Sequence, residues 1–137
     1  MDAQKARAHF KGVTCINMSD IEIYIENASI EEVTEWLIEY FFVDSQEEID
    51  EGIFKINCEY QKESFPITVT LGVEEKYTSV WLGKEIKIWS TVTSCAVEAS
   101  RFLSKTVLCE PEENNEVPWL FLKISEDQKE LVNIDNT

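Results

Sequence analysis

The chain is 137 residues long, enough for one domain with a core of its own, and carries 27 Asp and Glu against 12 Lys and Arg, a formal charge of −15. That balance argues against a binder of DNA, RNA or an anionic membrane, because phosphate contacts need Lys and Arg. It favours basic partners, whose encounter a negative field accelerates, with solubility as the plainer reading of the same charge.

Residues 1–12 hold Lys5, Arg7 and Lys11 against one acid, Asp2, and read as a basic tail or helix ahead of a single α+β domain at 13–137. This opening has no apolar core of the kind a secretory signal needs, and no apolar run in the chain approaches the roughly 18–20 residues of a membrane span. A cytoplasmic location is therefore expected. The stretch IEIYIE, residues 21–26, alternates Ile with Glu and Tyr, which predicts a strand with one buried face. Ser29 and Glu32 then make the S-x-x-E pattern of a capping box. After it, Val33, Trp36, Leu37, Tyr40 and Phe41 recur at helical spacing and predict a helix over 30–42 with one apolar stripe.

The outer face of that helix poses a problem. Between Ser29 and Gly52 lie nine carboxylates and no Lys or Arg. Glu31, Glu35 and Glu39 are spaced by four, so they stack along one ridge, where like charges cost about 0.2–0.5 kcal/mol per pair. Glu31 recovers some of this at the positive helix N-terminus, whereas Glu39 lies toward the negative end. A sequence shaped only for stability would place Lys at 35 or 39. The predicted loop over 43–51 adds Asp44, Glu47, Glu48, Asp50 and Glu51.

Downstream, IFKINCEY, FPITVTL, YTSVWL and IKIW are separated by links short enough for hairpins and predict an antiparallel meander. A second helix is expected over 94–104. Cys95, Ala96, Ala99, Phe102 and Leu103 form its apolar face, while Ser90, Thr93 and Ser94 compete to cap it. TVLC predicts a short strand, 110–116 an acidic loop, and WLFLKIS with ELVNI a closing hairpin. The order β-α-β-β-β-β-α-β-β-β implies an α+β fold, a mainly antiparallel sheet with two helices packed on one face.

Few residues offer chemistry. His9 is the only histidine, so neither a Ser–His or Cys–His pair nor a zinc site is expected. Four glycines in no phosphate-binding pattern argue against a nucleotide cradle. Counted from Asp44, an EF-hand would need Gly at position 49 and Glu at 55, where Ile49 and Lys55 stand. Cys15, Cys58, Cys95 and Cys109 form no CxxC pair and read as buried, reduced thiols. No enzyme activity, cofactor or metal is expected.

The downstream half, TSVWLGKEIKIWSTVTSCAVEASRFLSKTVLCEPE followed by VPWLFLKIS, resembles small bacterial immunity proteins of contact-dependent and polymorphic toxin systems. The similar features are a strand ending in Trp, a Cys-Ala helix, a Cys-x-Pro after a short strand, and the closing WLFLKI strand. The resemblance implies a non-enzymatic neutraliser of one cognate toxin and carries over no functional residue. The expected partner is thus a basic protein, a toxin domain such as a nuclease. A nucleic-acid mimic and an acidic secretion chaperone are the alternatives. The expected binding residues are Glu31, Glu35, Glu39, Asp44, Glu47, Glu48, Asp50 and Glu51. Trp119 joins them as an aromatic anchor, with core packing as its other reading.

Overall fold

A computed structural model describes residues 20–83, 88–111, 120–126 and 128–133. The basic segment 1–12, His9, Cys15, residues 86 and 87 of the predicted strand IKIW, most of the acidic loop 110–116, and Trp119 lie outside the described residues.

The elements are β1 (Ile21–Glu26), α1 (Ile30–Ile38), β2 (Phe42–Asp50), β3 (Ile53–Tyr60), β4 (Glu63–Val73), β5 (Tyr77–Gly83), α2 (Val92–Leu103), β6 (Val107–Cys109), β7 (Leu120–Ser125) and β8 (Gln128–Asn133). They form an α+β fold with one eight-stranded sheet in the order β2-β3-β4-β5-β1-β6-β7-β8. Every strand pairing is antiparallel.

Local chemistry accounts for most boundaries. Ser29 and Glu32 close the expected capping box: Glu32 N–H donates to Ser29 Oγ at 3.1 Å, and Ser29 N–H to Glu32 Oε1 at 2.9 Å. α2 starts with a second box, in which the cap is Thr91, ahead of the expected start at 94, and Ser94 is its partner. Between β3 and β4, Gln61 and Lys62 both take positive φ, the backbone that a tight hairpin turn demands.

Among the described residues the elements match the predicted ones in number, but not one for one. The first helix ends at Ile38 instead of 42, and the expected loop 43–51 is mostly strand β2. The apolar stripe misled because Tyr40 and Phe41 still turn toward the core after the helix has ended. The N–H of Glu39 reaches Trp36 O and that of Tyr40 reaches Leu37 O, tightening the last turn. Pairing with β3 then makes a strand of an acid-rich run that its own propensity would leave irregular. Conversely, Ile88 and Trp89 of IKIW are not strand.

Alternate residues of the sheet share one hydrophobic cluster with the buried residues of both helices. Ile23, Ile25, Ile56, Ile67, Val69, Val80 and Ile124 belong to it, together with Val33, Trp36 and Leu37 of α1 and Cys95, Ala96 and Ala99 of α2. A smaller cluster gathers Tyr24, Val73, Tyr77, Leu108 and Phe121. β1 therefore contributes to both clusters, which corrects the expectation of one buried face. Its Glu22 is buried as well, accepting a hydrogen bond from the buried hydroxyl of Ser79.

Candidate functional site

The acidic residues start on α1. Glu31, Glu35 and Glu39 are all exposed, as their spacing predicts, on the side away from buried Val33, Trp36 and Leu37. Glu39 is the C-cap, and no basic residue stands in the last turn to offset its charge at the negative helix end. Glu32 differs from these. Its carboxyl is held below the usual range, first by the backbone hydrogen bond from Ser29 and then by Lys105, whose Nζ lies 3.6 Å away.

The remaining acids lie on β2 and the turn that follows it. β2 is an end strand of the sheet, exposed along its length except for half-buried Val43. Two irregularities of register, between Val43 and Ser45 and between Glu48 and Asp50, bracket a regular run: Ser45 faces Asn57, Gln46 faces Ile56, Glu47 faces Lys55 and Glu48 faces Phe54. Directly opposed residues share a face. Glu48 and Gln46 thus belong to the face of Phe54 and Ile56, both packed in the large cluster, and Glu47 belongs to the other face with Lys55. The β2 acids do not form one flat surface; they wrap around the sheet edge.

Two of these acids also support the hairpin locally. Glu48 Oε2 accepts the N–H of Gly52 at 3.0 Å, and Asp50 Oδ1 accepts that of Glu51 at 2.8 Å. Gly52 has φ +74°, a left-handed conformation that glycine adopts without a Cβ penalty, which explains how the chain reverses here. Asp44, Glu47, Glu35 and Glu39 have no such bond among the described residues. The flank of α1 meets β2 where Thr34 Oγ1 lies 2.8 Å from Gln46 Oε1. This contact brings the helix ridge and the acidic strand to one border of the molecule.

Other residues were not anticipated. Glu98 on α2 accepts hydrogen bonds from Tyr40 Oη at 3.0 Å and from Trp89 Nε1 at 2.6 Å. Trp36 and Trp89 stack with centroids 5.6 Å apart, and Tyr40 and Trp89 make a T-shaped contact with centroids 5.0 Å apart. Burial, reinforced by Glu98, pushes the Tyr40 phenol up to about 12. Helical periodicity marks Trp36 as core, correctly, but no local signal pairs it with a tryptophan so distant in the chain. At the other candidate region, Glu110 is half-buried and its carboxyl is raised by burial.

The arrangement offers charge and contact surface. Among the described residues no group of His, Cys, Asp and Glu is placed to hold a metal ion. Cys58, Cys95 and Cys109 are buried and are in no disulfide among the described residues. Burial lifts the Cys58 thiol to about 11 and the Cys95 thiol well above its ordinary value, so neither is a ready nucleophile. No described helix is long and apolar enough to cross a membrane. Compared with protein-family models, curated proteins and solved structures, the chain matches none.

Proposed function

We propose that the chain is a non-enzymatic, cytoplasmic immunity protein that binds and neutralises one basic partner, a cognate toxin domain such as a nuclease. The observation that carries this reading is the run of exposed acids on α1 and β2. None of Glu31, Glu35, Glu39, Asp44, Glu47, Glu48, Asp50 or Glu51 is ion-paired with a described residue, whereas Glu26, Glu32 and Glu130 each have a lysine. Their charge is therefore available to an incoming cationic surface. We further infer that both helices cover the same face of the sheet, since their buried residues share one cluster. Such packing holds α1 beside β2 and concentrates the acids at one border. A field of this kind steers association, which reaches roughly 10⁸–10⁹ M⁻¹s⁻¹ at low salt against about 10⁵–10⁶ without steering.

The second reading is a nucleic-acid mimic. It draws on the projection of Glu47 and Glu48 to opposite faces of the edge, an arrangement that suits a protein groove made for a phosphate backbone.

The test is a search beside this chain's gene for an exported protein with a variable C-terminal domain, and co-expression with that domain. The parent chain is expected to restore growth. A folded Glu35→Lys, Glu39→Lys, Asp44→Lys variant is expected to fail, because these acids make no local bond whose loss would explain the failure. Full protection by that variant would sink the acidic-surface reading. Inhibition of several unrelated DNA-binding proteins would favour the mimic, since an immunity protein needs shape as well as charge.

A further inference from the structure

We propose that the outer edge of β2 is a strand-addition site, at which a basic segment of the partner extends the sheet by main-chain pairing. The inference rests on the basic-partner reading above and adds the mode of contact. Its carrier is the unpaired strand edge, and the acids serve to select the occupant.

A strand that ends a sheet leaves a row of backbone N–H and C=O groups unpaired, which another chain can use. Proteins blunt such edges by keeping them short, by charged side chains, proline or bulges, or by covering them. β2 is nine residues long, contains no proline and is exposed among the described residues. Its two register irregularities flank the run 45–48 and leave it regular, and its charges are all of one sign, so they repel an acidic strand and admit a basic one. Its regular run from Ser45 to Glu48 is the stretch on which a partner strand can keep register. Two large apolar side chains flank that run in solvent, Phe42 at 68% and Ile49 at 54% exposure. They stand seven positions apart, about 23 Å along an extended strand, so one added strand reaches both. Charge alone would account for the acids, but not for an exposed phenylalanine and isoleucine at the two ends of the same strand.

The charge then identifies the occupant. A second copy adding through its own β2 would bring Asp44, Glu47, Glu48 and Asp50 against the same acids, and like charges directly opposed across strands are destabilising. A segment that alternates Lys or Arg with apolar residues is favoured instead. Main-chain hydrogen bonds would supply affinity, and side chains on alternating faces specificity.

The experiment uses the full chain and a nine-residue peptide alternating lysine and valine. Its control is the peptoid with the same side chains, which keeps the charge but has no backbone N–H. Binding is measured at low salt, with amide hydrogen exchange read residue by residue. The peptide is expected to bind at least tenfold tighter than the peptoid and to raise protection at least tenfold for β2 amides within residues 45–48. Equal binding of both without added protection would overturn strand addition while leaving a charge-driven partner intact. Binding of neither, protection elsewhere, or a β2-mediated dimer of the free chain at neutral pH would also overturn it. Loss of toxin protection by the triple variant described above, alongside equal binding here, would show that only the mode of contact is wrong.

Discussion

β1 and β2 are both strands in which isoleucine and carboxylates are mixed, yet one lies at the centre of the sheet and the other at its end. A single row of cross-strand neighbours connects them: Glu47 on β2 faces Lys55, Lys55 faces Thr68, Thr68 faces Trp81, and Trp81 faces Glu22 on β1. The two glutamates at its ends share a face of the sheet. Glu47 is exposed, whereas Glu22 is buried and takes a hydrogen bond from Ser79. A buried carboxylate is tolerated only when hydrogen-bonded, and a solvated one needs no partner. The same residue type on the same face thus has opposite requirements, set by the place of its strand in the sheet order.

The largest expected effect tests this contrast in the core. Ile23 on β1 is 0% exposed and Ile49 on β2 is 54% exposed. Ile23→Ala is expected to cost about 2–5 kcal/mol, the range for emptying a packed aliphatic site. Ile49→Ala is expected to stay within about 0.5 kcal/mol. Urea denaturation of both variants measures the difference. Comparable losses would mean that β2 is buried in solution, against the exposed edge described above.

This contrast also marks how far the residues alone could lead. β1 was legible as a strand because its isoleucines alternate, and the start of α1 because its capping box is local. The ends of α1 and β2 were not. Whether Tyr40 belongs to a helix or to the turn after it depends on Trp89, which lies far along the chain. Whether 43–51 is a loop or an edge strand depends on pairing with β3. Glu22 looked like a solvent-facing residue because nothing in IEIYIE states that strands lie on both sides. For the candidate site, the acids themselves were legible, as was the outward direction of Glu31, Glu35 and Glu39. Their wrapping around a sheet edge, and the local tasks of Glu48 and Asp50, required the fold.

A second prediction concerns alkaline pH, where β1 and β2 again differ, since β1 has Tyr24 and β2 has no tyrosine. Burial, with Glu22 adding to it, raises the Tyr24 phenol well above its ordinary value. Tyr40 on the connection before β2 reaches about 12. In both cases the folded state holds its proton more tightly than the unfolded state. Their contribution to stability is therefore complete below about pH 10 and is lost as pH rises through the folded values. Ultraviolet absorbance of tyrosinate is expected to show part of the titration coinciding with the loss of secondary structure above pH 10. If all tyrosines titrate freely near pH 10 while the fold persists, the burial of Tyr24 is refuted.

Cysteine labelling resolves the contrast in rate. Cys58 on β3 lies directly opposite Val43 of β2, whereas Cys95 on α2 and Cys109 on β6 belong to the middle of the fold. Edge elements open locally at lower free energy than central ones. Peeling of β2 would uncover Cys58 and leave the other two covered. At pH 8, Cys58 is expected to alkylate at least tenfold faster than Cys95 and Cys109, as measured peptide by peptide by mass spectrometry. Equal, slow rates for all three would mean that β2 opens only when the whole domain does.

The smallest effects separate a uniform cost of acidity from a positional one. If every acid of the run merely repelled its neighbours, any change to lysine would stabilise the free chain. The two strand and helix positions predict opposite signs. Glu39 caps α1 at its negative end and stands four residues after Glu35, with no basic residue in the last turn. Glu39→Lys gains about 0.3–1 kcal/mol from the helix dipole, and relieves about 0.2–0.5 kcal/mol of repulsion. Glu47 instead lies opposite Lys55 on β3. Glu47→Lys replaces an opposite-charge cross-strand pair with a like-charge one, in a class of interaction worth roughly 0.2–1 kcal/mol. The Tm of the first variant is expected to rise by a few degrees and that of the second to fall, with both changes shrinking as salt is added. Stabilisation by both would return β2 to a simple ridge of repulsion, and would show that facing Lys55 makes no difference to Glu47.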